Sequence, residues 1–211
     1  MPVELWQNEP NEAAHPARKK VAELIASEAE NVLEVACGIG VDYPLYQKLG
    51  IKYYGVDITS KFIEEAKHRG VPCEVADALS LPFADQSFDA VYCKDLFLHL
   101  PPDDWKRVLR EMVRVARKFV VVVDDLWYAF TSYMPREKYL YHNEKGETQQ
   151  LCFFNNVYGE AEVKAYAEHL GLNVQVFDGG TVKRVRLASN QHSVLNVDAP
   201  SQITVYRKKK K

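Results

Sequence analysis

From Val32 onward the chain alternates short apolar runs with amphipathic stretches. Residues 32–36, 52–56, 71–75, 87–93 and 119–123 are rich in β-branched and aromatic residues and predict strands. The run Phe119-Val120-Val121-Val122-Val123 is apolar throughout, as suits a strand covered on both faces. Between these runs the period changes. Residues 11–30 place Val21, Leu24, Ile25 and Ala29 near helical spacing. Residues 43–49 predict a short helix ended by Gly50, and Thr59 or Ser60 N-caps a helix through His68 that Gly70 closes. Pro101 and Pro102 open a helix to about Ala116. The alternation predicts one α/β domain over residues 1–211, with a seven-stranded, mostly parallel sheet and helices on both faces.

The last third departs from that rhythm. Residues 160–170 predict a helix stopped by Gly171. Residues 173–177 and 203–206 predict two strands with no helix between them, hence an antiparallel edge. Residues 125–158 form a long insertion dense in aromatics, among them Trp127, Tyr128, Phe130, Tyr133, Tyr139, Tyr141, Phe153, Phe154 and Tyr158. Insertions of that length are commonly functional, and this one is expected to cap a substrate site.

Composition narrows the function classes. The formal net charge of −2 gives no global case for nucleic acid or an anionic membrane. The basic end Arg207-Lys208-Lys209-Lys210-Lys211 reads as a solvated terminus. No stretch approaches the roughly 18 consecutive apolar residues of a membrane span, and the start lacks the apolar core of a signal peptide. Cys37, Cys73, Cys93 and Cys152 have no metal-like spacing and read as reduced thiols, so a cytoplasmic location is expected.

The chemistry concentrates at the ends of the predicted strands. Val32-Leu33-Glu34-Val35-Ala36-Cys37-Gly38-Ile39-Gly40 runs from a strand into a turn whose two glycines let backbone approach a ligand closely. A dinucleotide loop needs a further glycine where Tyr43 stands, and a Walker loop needs Gly-Lys-Ser/Thr; neither is present. Acids mark the ends instead: Glu34 in the first strand, Asp57 after the second, Asp77 after the third. Carboxylates along one sheet edge suit a ligand with a ribose, an exocyclic amine and a positive centre, and do not suit a bare pyrophosphate.

With these segments the chain resembles the class I S-adenosylmethionine-dependent methyltransferases, of the small type 11 or UbiE-like kind, over roughly residues 20–125. Glu34-x-Ala36-x-Gly38-x-Gly40 resembles the family's first motif and Gly55-Val56-Asp57-Ile58-Thr59 its ribose-binding second. Residues 76–83 followed by 87–91 resemble the adenine segment and fourth strand, and Leu96-Phe97-Leu98-His99-Leu100 the stretch after it. Two letters depart: Ala36 replaces the motif's first glycine, and the usual Lys-Pro-Gly-Gly turn before the fifth strand is missing.

The resemblance implies a Rossmann-like fold and S-adenosylmethionine as cofactor, with S-adenosylhomocysteine as product. Asp57 would accept from the ribose hydroxyls; the alternative is an acid at a helix N-terminus. Asp77 would accept from the adenine amine beside the Ala78 amide; the alternative is a turn aspartate. Ile58 and Leu79 would sandwich the adenine or serve as core. Glu34 would orient the loop amides and meet the methionine ammonium through water, while backbone of Ala36, Cys37, Gly38, Gly40 and Lys94 would hold the methionine end. Asp95 and His99 fall where the methyl group should lie, with His99 either a general base or a packing residue. Asp95, Asp124 and Asp125 invite comparison with the magnesium site of catechol-type enzymes, but that family's lysine falls on Leu98, so no metal is expected. Residues 1–30, including Trp6, would form a lid. The acceptor implied is a small molecule methylated at oxygen or nitrogen, with an aromatic or cationic character that suits the insertion. RNA or protein methylation, and a catalytically silent cofactor-binding subunit, stand as the alternatives.

Overall fold

A computed structural model describes residues 16–101, 104–125, 137–142, 148–153, 160–187 and 194–209. The main elements in chain order are α1 (Pro16–Glu28), β1 (Asn31–Val35), α2 (Tyr43–Lys48), β2 (Lys52–Asp57), α3 (Ser60–His68), β3 (Cys73–Val75) and β4 (Phe88–Lys94). There follow α4 (Asp104–Val115), β5 (Ala116–Asp125), β6 (Glu137–His142), β7 (Thr148–Phe153), α5 (Glu160–His169), β8 (Leu172–Leu187) and β9 (Val194–Lys208). Among the described residues, one seven-stranded sheet runs in the order β3-β2-β1-β4-β5-β9-β8. The pairs from β3 to β5 are parallel, and β9 is antiparallel to both β5 and β8. The expected mostly parallel sheet with an antiparallel edge is present.

Strand alternation divides the core. Leu33, Val35, Val91, Cys93, Val120 and Val122 face α4 and α5, where Trp105, Leu109, Met112 and Ala167 are fully buried. Val32, Tyr92, Val121 and Val123 face the other side, against Val21 and Ile25 of α1, Tyr46 of α2 and Ile63 of α3. This second face carries Glu34, placed between Val32 and the loop in a strand whose neighbours are apolar.

Several boundaries differ from expectation. β3 starts at Cys73, since Pro72 has no N–H to give a ladder and its carbonyl instead accepts from Gly55 N–H at 2.9 Å. β8 and β9 are 16 and 15 residues long, far beyond the segments expected, because their pairing continues from Leu172↔Lys208 to Leu187↔Val194. The tail reading is corrected. Arg207 and Lys208 belong to β9, and the Arg207 guanidinium makes two 2.7 Å bonds to the Glu28 carboxylate and lies over the Phe119 ring.

Of the insertion, β6 and β7 form a separate antiparallel ribbon. Trp127, Tyr128, Phe130, Tyr133, Phe154 and Tyr158 lie outside the described residues, as do Trp6 and the rest of residues 1–15 of the expected lid.

Candidate active site

The register brings the C-terminal ends of β1, β2 and β4 together: Val35 pairs with Val56, and Glu34 with both Gly55 and Tyr92. There a cavity of about 230 Å³ opens, lined from α1 by Arg18, from the β1 loop by Glu34, Ala36, Cys37 and Gly38, from β2 and α3 by Asp57, Ile58 and Phe62, and from the end of β4 by Lys94, Asp95 and His99.

The glycine loop is shaped by left-handed backbone. Ala36, Gly38 and Gly40 have φ of 61°, 55° and 74°. A side chain at Gly38 would meet nothing within 4 Å, whereas one at Gly40 would lie 2.7 Å from Val71 Cγ2. Gly38 therefore leaves room on the cavity side, and Gly40 lets the loop settle on the segment before β3. Ala36 sits in a conformation that costs an L-residue about 1–2 kcal/mol.

Asp57 clasps this loop. Its Oδ2 accepts from Gly38 N–H at 3.0 Å and its Oδ1 from Thr59 N–H at 2.8 Å. Thr59 stands at the N-cap position of α3 and its hydroxyl makes no capping bond; its own amide donates to the Asp57 carboxylate. Asp57 is buried, while the next residue, Ile58, is 68% exposed and offers an apolar surface at the cavity edge.

Beneath the loop lies a buried polar cluster that sequence reasoning missed, apart from Glu34. Tyr53 O–H donates to Glu34 Oε2 at 2.6 Å. The hydroxyl reaches Glu34 by passing over Gly55, where a Cβ would lie 2.9 Å from it. Asp42 Oδ1 pairs with Arg18, and its Oδ2 accepts from Tyr92 O–H at 3.0 Å. Burial, reinforced by the neighbouring Asp42 charge, pushes the Glu34 carboxyl well above the usual carboxylate range, against the opposing effects of Tyr53 and Arg18. Burial also raises the Tyr46, Tyr53 and Tyr92 phenols and the Cys37 thiol. No sequence spacing announces this cluster; its one local signal is Asp42 two residues after Gly40, at the N-cap of α2 with Pro44 in the first turn.

At the end of β4, Asp95 has φ of 54°, and its amide donates to Val123 O at 2.7 Å. In a regular strand neighbouring side chains point to opposite faces. The left-handed turn at Asp95 reverses that alternation, so Lys94 and Asp95 form an ion pair and both line the cavity. Lys94 is expected to act through its backbone; its ammonium is taken up by Asp95 beside the cavity that both residues line. His99 ends the 3₁₀ turn Phe97–His99. Burial holds its imidazole below the ordinary histidine value; Lys94 acts in the same direction and Asp95 against it.

Glu34, Ala36, Cys37, Gly38, Asp57, Ile58, Lys94, Asp95 and His99 thus share one cavity, and Gly40 supports its loop. Asp77, Ala78 and Leu79 are not among its lining. They follow β3 at the same sheet edge, where Asp77 is exposed and its Oδ1 accepts from Leu79 N–H at 2.9 Å.

Residues 33–123 match the family described as a methyltransferase domain. The chain is 35% identical over 103 residues to the methyltransferase GfsG of Streptomyces halstedii, covering 44% of this chain and 36% of that one. It is 38% identical over 88 residues to the demethylmenaquinone methyltransferase of Corynebacterium efficiens, covering 42% and 37%. The matched region spans little more than a third of these relatives. The fold resembles the CcbJ methyltransferase of Streptomyces caelestis with a TM-score of 0.72, at 14% identity, over 99% of this chain and 96% of that one. Over residues 33–123 the chain is thus similar in sequence to S-adenosylmethionine-dependent methyltransferases, and it shares their Rossmann-like fold. The cavity fits that cofactor: it joins a buried carboxylate anchored on two amides, a glycine with open space on the ligand side and an exposed aliphatic side chain.

Proposed function

We propose that the protein transfers a methyl group from S-adenosylmethionine to an oxygen or nitrogen of a small-molecule acceptor. The observation that carries this reading is the Asp57 carboxylate, held by the Gly38 and Thr59 amides at the wall of the cavity. Its remaining lone pairs accept from the ribose hydroxyls. Ile58 covers one face of the adenine, and Leu79, with Asp77 and the Ala78 amide, completes the adenine side from the β3 loop. Glu34, with backbone of Ala36, Cys37, Gly38 and Lys94, holds the methionine end.

When bound, S-adenosylmethionine supplies a methyl group activated on a sulfonium, with a neutral thioether as leaving group. The chain's main contribution is to place the acceptor atom in line with that methyl; such positioning is worth up to about 7–11 kcal/mol. His99 takes the acceptor's proton. It is poised for this because burial keeps the imidazole neutral, and Asp95 at the same wall offsets the positive charge that develops. The aromatic-rich composition of residues 125–158 favours a flat or cationic acceptor. The relative named for demethylmenaquinone supports a small-molecule acceptor. Incubation with labelled S-adenosylmethionine and a panel of phenols, carboxylic acids and amines tests this. Acceptor-dependent formation of S-adenosylhomocysteine is expected. Cofactor binding without turnover on any acceptor would favour a silent subunit, and turnover on RNA alone would overturn the acceptor class.

A further inference from the structure

The cluster under the cofactor loop contains two carboxyls and one guanidinium. Arg18 of α1 pairs with Asp42, which also accepts from Tyr92 of β4. Glu34 of β1 accepts from Tyr53 of β2, and the Asp42 charge acts on it. Arg18, Glu34 and Asp42 are 8%, 4% and 1% exposed. If both carboxyls were ionised, the cluster would carry a net negative charge out of reach of water, which is costly at this burial. Two adjacent acids facing one base are balanced when they hold a single proton between them.

Among the described residues, the other groups facing Glu34 do not supply the missing positive charge. Tyr46, Tyr53, Tyr92 and Cys37 are held neutral by burial. Asp57, across the cavity, adds negative charge and is engaged by two amides, and Lys94 is paired with Asp95. Yet Glu34 and Arg18 both line the cavity, so a cation arriving there would stand against the carboxyl that holds the proton.

We propose that the Glu34–Asp42–Arg18 cluster holds one proton in the empty site and releases it when the cofactor's amino-acid ammonium binds. The O–H bond of the Glu34 carboxyl breaks, its proton passes to a buffer base, and the carboxylate left behind faces the ammonium. Asp42 acts as a positioning residue: its charge keeps the proton on Glu34 until a ligand arrives. The inference rests on the methionine end of the cofactor lying over Glu34.

Calorimetric titration with S-adenosylhomocysteine at about pH 6.5, below the usual range of an α-amino group, in buffers of different ionisation enthalpy, counts the protons. The wild type is expected to release protons on binding, up to one per ligand, and its affinity to rise with pH over the range where release is seen. In Glu34→Gln, release falls to near zero and the pH dependence flattens. In Asp42→Asn the charge that keeps the proton on Glu34 is gone, so release also falls while binding persists. Binding by the wild type without proton release, or equal release by Glu34→Gln, would overturn the proposal. Failure of the wild type to bind would overturn the site assignment beneath it.

Discussion

The Gly38 amide donates to Asp57 Oδ2 across 3.0 Å, so the acid that ends β2 fixes the turn that follows β1. The carboxylate has two tasks, shaping the loop and receiving the ribose. Hydrogen bonds to a charged acceptor are worth about 1.5–3 kcal/mol each. Asp57→Ala is therefore expected to weaken S-adenosylhomocysteine binding by about 3 kcal/mol, on the order of a hundredfold. Asp57→Asn, which keeps one acceptor oxygen, should fall between. Titration calorimetry on the three proteins checks the order.

Gly38 and Gly40 share a backbone conformation but not an environment. At Gly40 a methyl would strike the buried Val71 side chain, adding a clash to the strain of left-handed backbone. Gly40→Ala should cost about 2–4 kcal/mol of stability. In a Val71→Ala background the two closest contacts are gone and only the 3.1 Å approach to Cβ remains, so the cost should drop toward the roughly 1–2 kcal/mol of left-handed backbone alone. Gly38→Ala meets open space and should cost only about 1 kcal/mol, yet weaken cofactor binding by more than that loss explains. Urea denaturation paired with calorimetry separates the two effects.

Ala36 occupies left-handed backbone without being glycine. Relief of that strain outweighs the roughly 0.4–1 kcal/mol of unfolded-chain entropy that glycine adds. Ala36→Gly is expected to be unchanged or up to about 1 kcal/mol more stable by chemical denaturation. A loss beyond about 1 kcal/mol would show that the alanine methyl is making contacts that matter.

If His99 removes the acceptor's proton, its neutral form is the active one. Burial holds the imidazole below the ordinary histidine value, so kcat/KM should rise with pH through a midpoint under about 6.5 and be level from 7 to 8. His99→Asn should lower kcat by about a hundredfold or more while leaving S-adenosylhomocysteine affinity within a few-fold. Initial rates across pH 5–8 check both; an unchanged kcat would make His99 a packing residue.

The parallel half of the sheet was legible because its strands are short, β-branched and separated by helices of clear period, as with the run from Phe119 to Val123. The extents of β8 and β9 were not, since their outer halves pair with each other beyond the sheet rather than showing a strong apolar pattern of their own. Glu34 and Asp57 announced themselves by their place at strand ends. Arg18 did not: it is one arginine on a basic helix, and only the packing of α1 beside the β1 loop brings it to Asp42, 24 residues away. Lys94 was read by its backbone because strand alternation does not foresee the left-handed turn at Asp95 that brings both side chains to the cavity. Asp77 stands at the foreseen edge, but its carboxylate closes a local turn outside the cavity lining.

The central claim is that Asp57 and the glycine loop hold an adenosyl cofactor. Calorimetry with S-adenosylhomocysteine tests it most directly. The account predicts one site, saturated at micromolar ligand and weakened on the order of a hundredfold by Asp57→Ala. Absence of binding at high micromolar ligand, or equal affinity in Asp57→Ala, would contradict it.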